Sequence, residues 1–129
     1  MTTLQPIGGD SPETRQYTYT PAIRLGDLVF VSGQIAIDDA GQLLGEGDFW
    51  AQGNQVFRRL SSLLEQSGSA LDRVVKVTVY LTRLSDFGTF VELRRKWLRP
   101  PYPADTTVVV ESLARPGALL EVEAVAAAL

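Results

Sequence analysis

A chain of 129 residues is the size of one domain, and it buries about two-thirds of the surface that its unfolded form exposes. It holds no cysteine and no histidine, which excludes disulfides, thiolate nucleophiles, histidine relays and the usual nitrogen- or sulfur-ligated metal sites. No metal and no cofactor is expected, and any catalysis must run on carboxylates, hydroxyls, Arg, Lys or backbone groups.

Twelve basic residues against fifteen acidic ones give a net charge of −3, without the clustered positive surface that displaces counterions from phosphates, so nucleic acid is not an expected partner. The basic runs Arg58-Arg59 and Arg94-Arg95-Lys96 fall in helical patterns and read as solvated faces. No apolar stretch approaches the ~18 residues of a membrane span, and residues 1–10 lack a basic segment followed by a hydrophobic one. A soluble chain in a reducing compartment, the cytoplasm, is the expectation.

In chain order, residues 1–15 carry the turn formers Pro6, Gly8, Gly9, Ser11 and Pro12 and read as an N-terminal arm, leaving 16–129 as the domain. Two β-rich stretches, 17–23 and 27–37, flank Leu25-Gly26-Asp27 and predict a hairpin. Asp48 is the expected N-cap of a helix ending at Gly68, whose apolar residues Val56, Phe57, Leu60, Leu63 and Leu64 recur at three- and four-residue steps. Residues 74–81 alternate as a strand, with Val75, Val77, Val79 and Leu81 on one face and Lys76, Thr78 and Tyr80 on the other. Ser85 or Asp86 is expected to cap a second helix that Pro100-Pro101 stops, and strands at about 105–111 and 119–127 complete the chain.

The order β-β-α-β-α-β-β predicts an α+β fold, a mixed sheet with two helices packed on one face. The other face would present Lys76, Thr78, Tyr80, Glu121 and Glu123 among apolar neighbours, a mixture that suits a subunit interface with polar pockets, and a homo-oligomer is the simplest way to cover it. A monomer with that face solvated is the plainer alternative.

Four segments, taken together and in this order, resemble the Rid (RidA/YjgF) family: residues 24–34 with Ser32-Gly33-Gln34, residues 74–81 followed by Asp86-Phe87, Tyr102-Pro103-Ala104, and residues 120–126 with Glu121-Val122-Glu123-Ala124. The likeness spans about residues 17–127. It implies a chorismate-mutase-like fold, a homotrimer, and clefts between subunits where reactive enamines and imines such as 2-aminoacrylate are hydrolysed to a keto acid and ammonia. By the same resemblance Glu121 matches the glutamate that holds or activates the attacking water, Tyr19 a tyrosine lining the cleft, and Ser32, Gly33 and Thr107 positions that face the ligand. Asp105 stands where those relatives carry a carboxylate-binding arginine. An anion there exchanges attraction for repulsion, on the order of a few kcal/mol at about 4 Å, so a 2-imino acid is expected to be a poor substrate.

Three readings compete. In the first the chain is a Rid-like hydrolase or deaminase of altered specificity, with Glu121 as general acid/base, Asp105 as ligand holder or second acid/base, and Tyr19, Ser32, Gly33 and Thr107 as the pocket wall. In the second it is a trimeric metabolite-binding protein without turnover. The third, RNA cleavage, lacks both the positive surface and a histidine base. For Asp105 two plainer roles stand beside the first reading, a turn residue after Pro103-Ala104 and an ion pair with an arginine such as Arg115.

Overall fold

The structure, a computed structural model, describes residues 3–129. It opens with two elements that the sequence analysis placed in an arm. Strand β1 (Leu4–Ile7) is followed by helix α1 (Pro12–Tyr17) and by β2 (Ala22–Leu25), which pairs antiparallel with β1, Leu4 facing Leu25. The arm is therefore corrected to an edge strand and a short helix, residues 1 and 2 lying outside the described residues, and the strand expected at 17–23 begins only at Ala22. Local chemistry explains α1. The Ser11 hydroxyl accepts from the Thr14 amide at 3.1 Å, the Thr14 hydroxyl accepts from the Ser11 amide at 3.0 Å, and Pro12 sits in the first turn, where its missing N–H costs nothing. Pro6 is tolerated in β1 because the strand is at the sheet edge.

Strand β3 (Leu28–Gln34) completes the expected hairpin, Leu25 facing Leu28 across Gly26-Asp27, with Gly26 at a φ of 61° that a two-residue hairpin turn requires and side chains resist. Helix α2 (Phe49–Gln66) starts where expected, its N-cap Asp48 accepting from the Ala51 amide at 3.0 Å, and stops before Gly68 at a φ of 77°. Strand β4 (Val74–Leu81), helix α3 (Phe87–Trp97), β5 (Ala104–Val109) and β6 (Leu120–Ala127) follow. Neither Ser85 nor Asp86 caps α3 through its side chain; both lie in a 3₁₀ turn, and the Asp86 carboxylate instead accepts from Arg83 at 2.9 and 3.2 Å.

The six strands form one sheet in the order β1-β2-β3-β6-β4-β5, antiparallel except for β4 and β5. The order along the chain is thus β-α-β-β-α-β-α-β-β, and the α+β class with α2 and α3 on one face holds. Under those helices lie Val29 and Val31 of β3, Val77, Val79 and Leu81 of β4, and Leu120, Val122, Ala124 and Ala126 of β6, all buried. Val75 departs from the expected alternation: the register steps from Val74 opposite Ala126 to Lys76 opposite Val125, leaving Val75 as the extra residue of a bulge, half exposed.

Helices α2 and α3 meet through Phe57, whose ring stacks 6.2 Å from Phe90 and 5.9 Å from Trp97 between centroids. Gly53 lets them approach. A Cβ there would overlap the Cδ1 of the fully buried Leu93. Gly53→Ala is expected to destabilise the fold by about 1–3 kcal/mol as overpacking, read from the denaturant midpoint; an unchanged or higher midpoint would mean the helix pair accommodates the methyl.

The opposite face of the sheet is open. It exposes Leu28, Phe30 and Val108, each about two-fifths accessible, beside two cross-strand polar pairs: Lys76 Nζ donates to Thr106 Oγ1 at 2.7 Å and Tyr80 Oη donates to Glu123 Oε1 at 3.1 Å. Among the described residues no helix is long and apolar enough to cross a membrane.

Candidate active site

A bulge in β3 shapes the site. Val31 faces Ala124 and Gln34 faces Val122, so Ser32 and Gly33 together oppose the single residue Glu123. The extra residue restores the inward direction at Gln34, which is buried, and brings the backbone of Gly33 against the Glu121 side chain. A Cβ at position 33 would stand 2.6 Å from Glu121 Oε1 and 2.7 Å from Cδ, so glycine is what allows the carboxylate to lie there. Ser32 is fixed at the same corner, its amide donating to the Pro21 carbonyl at 2.8 Å and its hydroxyl to the Thr20 carbonyl at 2.5 Å.

Glu121, Ser32 and Gly33 line a cleft of about 400 Å³ with Tyr17 and Tyr19, Glu13 of α1, Gln34, Arg59 of α2, and Arg115 in the β5–β6 connection. That connection is tied to α2 by the fully buried Gln52, whose amide nitrogen donates to the carbonyls of Gly45 and Gly117 at 3.1 and 3.0 Å, and whose oxygen accepts from the Leu119 amide at 2.8 Å. Every hydrogen-bonding group of the Gln52 side chain oxygen and nitrogen is thus engaged, which holds the Arg115 segment against the cleft.

The two glutamates of β6 have different surroundings. Glu123 accepts from Tyr80, whereas no hydrogen bond or ion pair reaches the Glu121 carboxylate from the described residues. Burial, and secondarily the charge of Glu123, push the Glu121 carboxyl above its ordinary 4.5. The Tyr19 phenol is likewise raised above 10.0, first by burial and next by the Glu13 carboxylate, with Arg59 acting in the opposite sense. A half-buried carboxylate with a raised pKa and no partner among the described residues is a candidate for taking and returning a proton.

Asp105 and Thr107 lie elsewhere in the protomer. The parallel register sets Asp105 beside Val77 and Thr107 beside Val79, which directs both toward the helix-covered face, away from the residues that line the cleft with Glu121. There Arg94 of α3 approaches Asp105 Oδ2 with NH1 at 2.7 Å, and the Thr107 hydroxyl donates to Oδ1 at 2.6 Å. The contact with Arg94 is an ion pair rather than an aligned hydrogen bond, since Oδ2 is buried without an aligned donor. The expected arginine partner is corrected from Arg115 to Arg94; Arg115 lines the cleft and donates to the Gly41 carbonyl at 2.7 Å. The Arg94-Arg95-Lys96 run is likewise not a uniformly solvated face, because Arg94 is about four-fifths buried. Sequence reasoning also passed over Arg59, taking Arg58-Arg59 as solvated. Arg58 is exposed, but Arg59 sits beside the stripe of Val56, Leu60 and Leu63 and turns inward, a placement its spacing from those residues could have signalled. Among the described residues no group of three acidic side chains is placed to hold a metal ion.

Comparison with known proteins shows the family. A family model described as Endoribonuclease L-PSP matches residues 10–128. Protein HMF1 of Saccharomyces cerevisiae is 35% identical over 127 residues, covering 98% of this chain and 97% of that protein. A mouse protein named 2-iminobutanoate/2-iminopropanoate deaminase is 31% identical over 108 residues, 84% of this chain and 79% of that one. Among solved structures, RidA from an Antarctic Psychrobacter superposes with a TM-score of 0.84 at 34% identity, covering 95% of this chain and 98% of that chain. The SGQ bulge and the EVEA strand that suggested the likeness are here the two walls around Glu121, and with 119 of 129 residues inside the family match the chain belongs to the Rid (YjgF/RidA, endoribonuclease L-PSP) family.

Proposed function

We propose that this protein hydrolyses the C=N bond of small imines, or of enamines through their imine tautomers, in the cleft at Glu121. The observation that carries the reading is the half-buried, partnerless Glu121 carboxylate held against the Gly33 backbone. Water adds to the imine carbon as Glu121 accepts its proton, the proton passes to nitrogen, and the tetrahedral carbinolamine collapses to a carbonyl compound and ammonia. Tyr19 and Ser32 shape the pocket around the reacting carbon. The mouse relative's name supports the same reaction class. The test is ammonia release from imines generated in situ by an amino-acid oxidase: acceleration over the uncatalysed rate that Glu121→Gln abolishes supports the reading. Binding altered with no turnover in either protein would favour the ligand-binding alternative.

In this reading Asp105 is a positioning residue that ties β5 to α3, and its charge, balanced by Arg94, does not repel a substrate in the cleft. We further infer that three copies assemble over the open sheet face, where Leu28, Phe30 and Val108 would be covered. Native mass spectrometry showing a monomer at micromolar concentration would overturn that assembly.

Gly33→Ala is expected to leave the fold intact and lower kcat/KM by about 100-fold, because a methyl 2.6 Å from Oε1 displaces the carboxylate by an ångström or more. Wild-type kinetics in a folded Gly33→Ala protein would show that the placement of Glu121 is not critical.

A further inference from the structure

We propose that Tyr17 and Tyr19, aimed by a left-handed turn at Thr18, form an aromatic subsite of the cleft that takes an aryl group on the substrate imine. The inference rests on the hydrolytic reading above and names the end of the substrate remote from the C=N bond. Charge does not select that end. The lining holds two carboxylates, Glu13 and Glu121, and two guanidiniums, Arg59 and Arg115, which cancel in sum. The Tyr19 hydroxyl belongs to this charged part, where Glu13 and Arg59 act on it in opposite senses. The rest of the wall is largely apolar, made by the two tyrosine rings with Ile35, Ile37 and Ala114. Tyr17 is 60% exposed and Tyr19 37%, so both rings are accessible to a ligand. A volume of about 400 Å³ lies within the roughly 300–1,000 Å³ of sites that enclose drug-sized molecules, and a three-carbon imine leaves most of it empty.

The backbone between the tyrosines is what brings them to one cleft. Were α1 to continue past Tyr17, residues 17 and 19 would point about 200° apart around its axis. Thr18 ends the helix instead, at a φ of 58° and a ψ of 53°, the one non-glycine residue with a positive φ among the described residues. A β-branched side chain resists that region, and such strain persists only where the surroundings over-determine it. Both flanks here are pinned. Upstream, the Thr14 carbonyl accepts from the Thr18 amide and from the Tyr19 amide, the latter at 3.2 Å, and Thr14 itself is held by the capping box with Ser11. Downstream, Ser32 donates to the carbonyls of Thr20 and Pro21, which ties the segment to the bulge beside Glu121. The Thr18 hydroxyl closes the turn by donating to the Tyr17 carbonyl at 2.7 Å. The two rings are thus preorganised, at the cost of a strained residue that contributes nothing to the core.

The experiment compares the imines that an amino-acid oxidase makes in situ from phenylalanine and from alanine, which share their charged end and differ in the aryl group. The ratio of kcat/KM for the phenylalanine imine over the alanine imine is expected to be about ten or more in the wild-type protein and to fall about tenfold in Tyr17→Ala, mainly through KM, while Tyr17→Phe keeps it. Thr18→Pro, which holds φ near −65° and removes the amide that donates to Thr14, should lower the ratio as Tyr17→Ala does. Thr18→Asn, whose side chain tolerates the left-handed region, should preserve it. A wild-type preference for the alanine imine, or a ratio unchanged in folded Tyr17→Ala, overturns the subsite; a ratio unchanged in Thr18→Pro overturns the role of the turn. If the wild-type protein hydrolyses neither imine, the hydrolytic reading fails, and the subsite is judged separately by titrating phenylpyruvate and pyruvate and following amide shifts by NMR. Phenylpyruvate binding at least about tenfold tighter than pyruvate, with the difference lost in Tyr17→Ala, sustains it; equal or absent binding refutes it.

Discussion

Glu121→Gln is expected to lower kcat for imine hydrolysis by about 100-fold or more and, at the same time, to raise the melting temperature at neutral pH. The two effects have one cause. Burial and Glu123 lift the Glu121 carboxyl above 4.5, so the folded chain binds this proton more tightly than the unfolded chain does. The resulting stability is fully present below the unfolded value near 4.5 and is lost as pH rises through the raised folded value. Above that window the ionised, poorly solvated carboxylate opposes folding, and glutamine does not. Thermal melts should therefore show Glu121→Gln more stable than wild type at neutral pH, with the difference vanishing below pH 4.5. If the proposed hydrolysis runs through Glu121, kcat/KM of the wild-type protein should rise with pH along a limb lying above 4.5, as this carboxyl ionises. A variant that loses activity and stability together would identify Glu121 as a structural support instead.

That trade-off explains why Glu121 stands out in sequence only by its strand. The period-two pattern of β6 set Glu121 and Glu123 on one face, and the register places Tyr80 opposite Glu121; only the three-dimensional structure shows its hydroxyl reaching diagonally to Glu123, leaving the Glu121 carboxylate without a partner among the described residues. The long elements were legible for similar reasons: α2 and α3 carry uninterrupted helical stripes, and the hairpin turn holds a glycine where positive φ is needed. β1 was not, because four residues with a proline and an exposed burial pattern have no periodicity of their own; its pairing with β2 is decided by tertiary contact. α1 did have a local signal, Ser11-Pro12 with Glu13 in the first turn and Thr14 closing the capping box, but the same residue types read as loop formers.

The arginines show what a linear reading misses. Arg58 and Arg59 differ by one step around α2, about 100°, and that step separates a solvated side chain from one in the cleft. For Arg94 and Asp105 the sequence carried both charges and no indication that they meet, since the parallel pairing of β5 with β4 and the packing of α3 bring together residues eleven positions apart across Pro100-Pro101.

The Arg94–Asp105 pair makes the second large effect. Asp105→Arg would restore the residue type that the family resemblance assigns to carboxylate binding, yet here it is expected to destabilise the protein by on the order of 3–5 kcal/mol, because it sets two guanidiniums against each other where both side chains are less than one-fifth exposed. It also removes the acceptor of the Thr107 hydroxyl. The exchange Arg94→Asp with Asp105→Arg returns opposite charges to the same two positions and is expected to recover most of the loss, a coupling that a double-mutant cycle in denaturant isolates from the cost of each change alone. Neither protein should gain turnover of 2-imino acids, since position 105 faces α3 and not the residues that line the cleft with Glu121. A stable Asp105→Arg variant with faster imino-acid hydrolysis would overturn this assignment and place the side chain at 105 in a cleft after all. The aspartate at this position and its partner on α3 thus secure the outermost strand of the sheet.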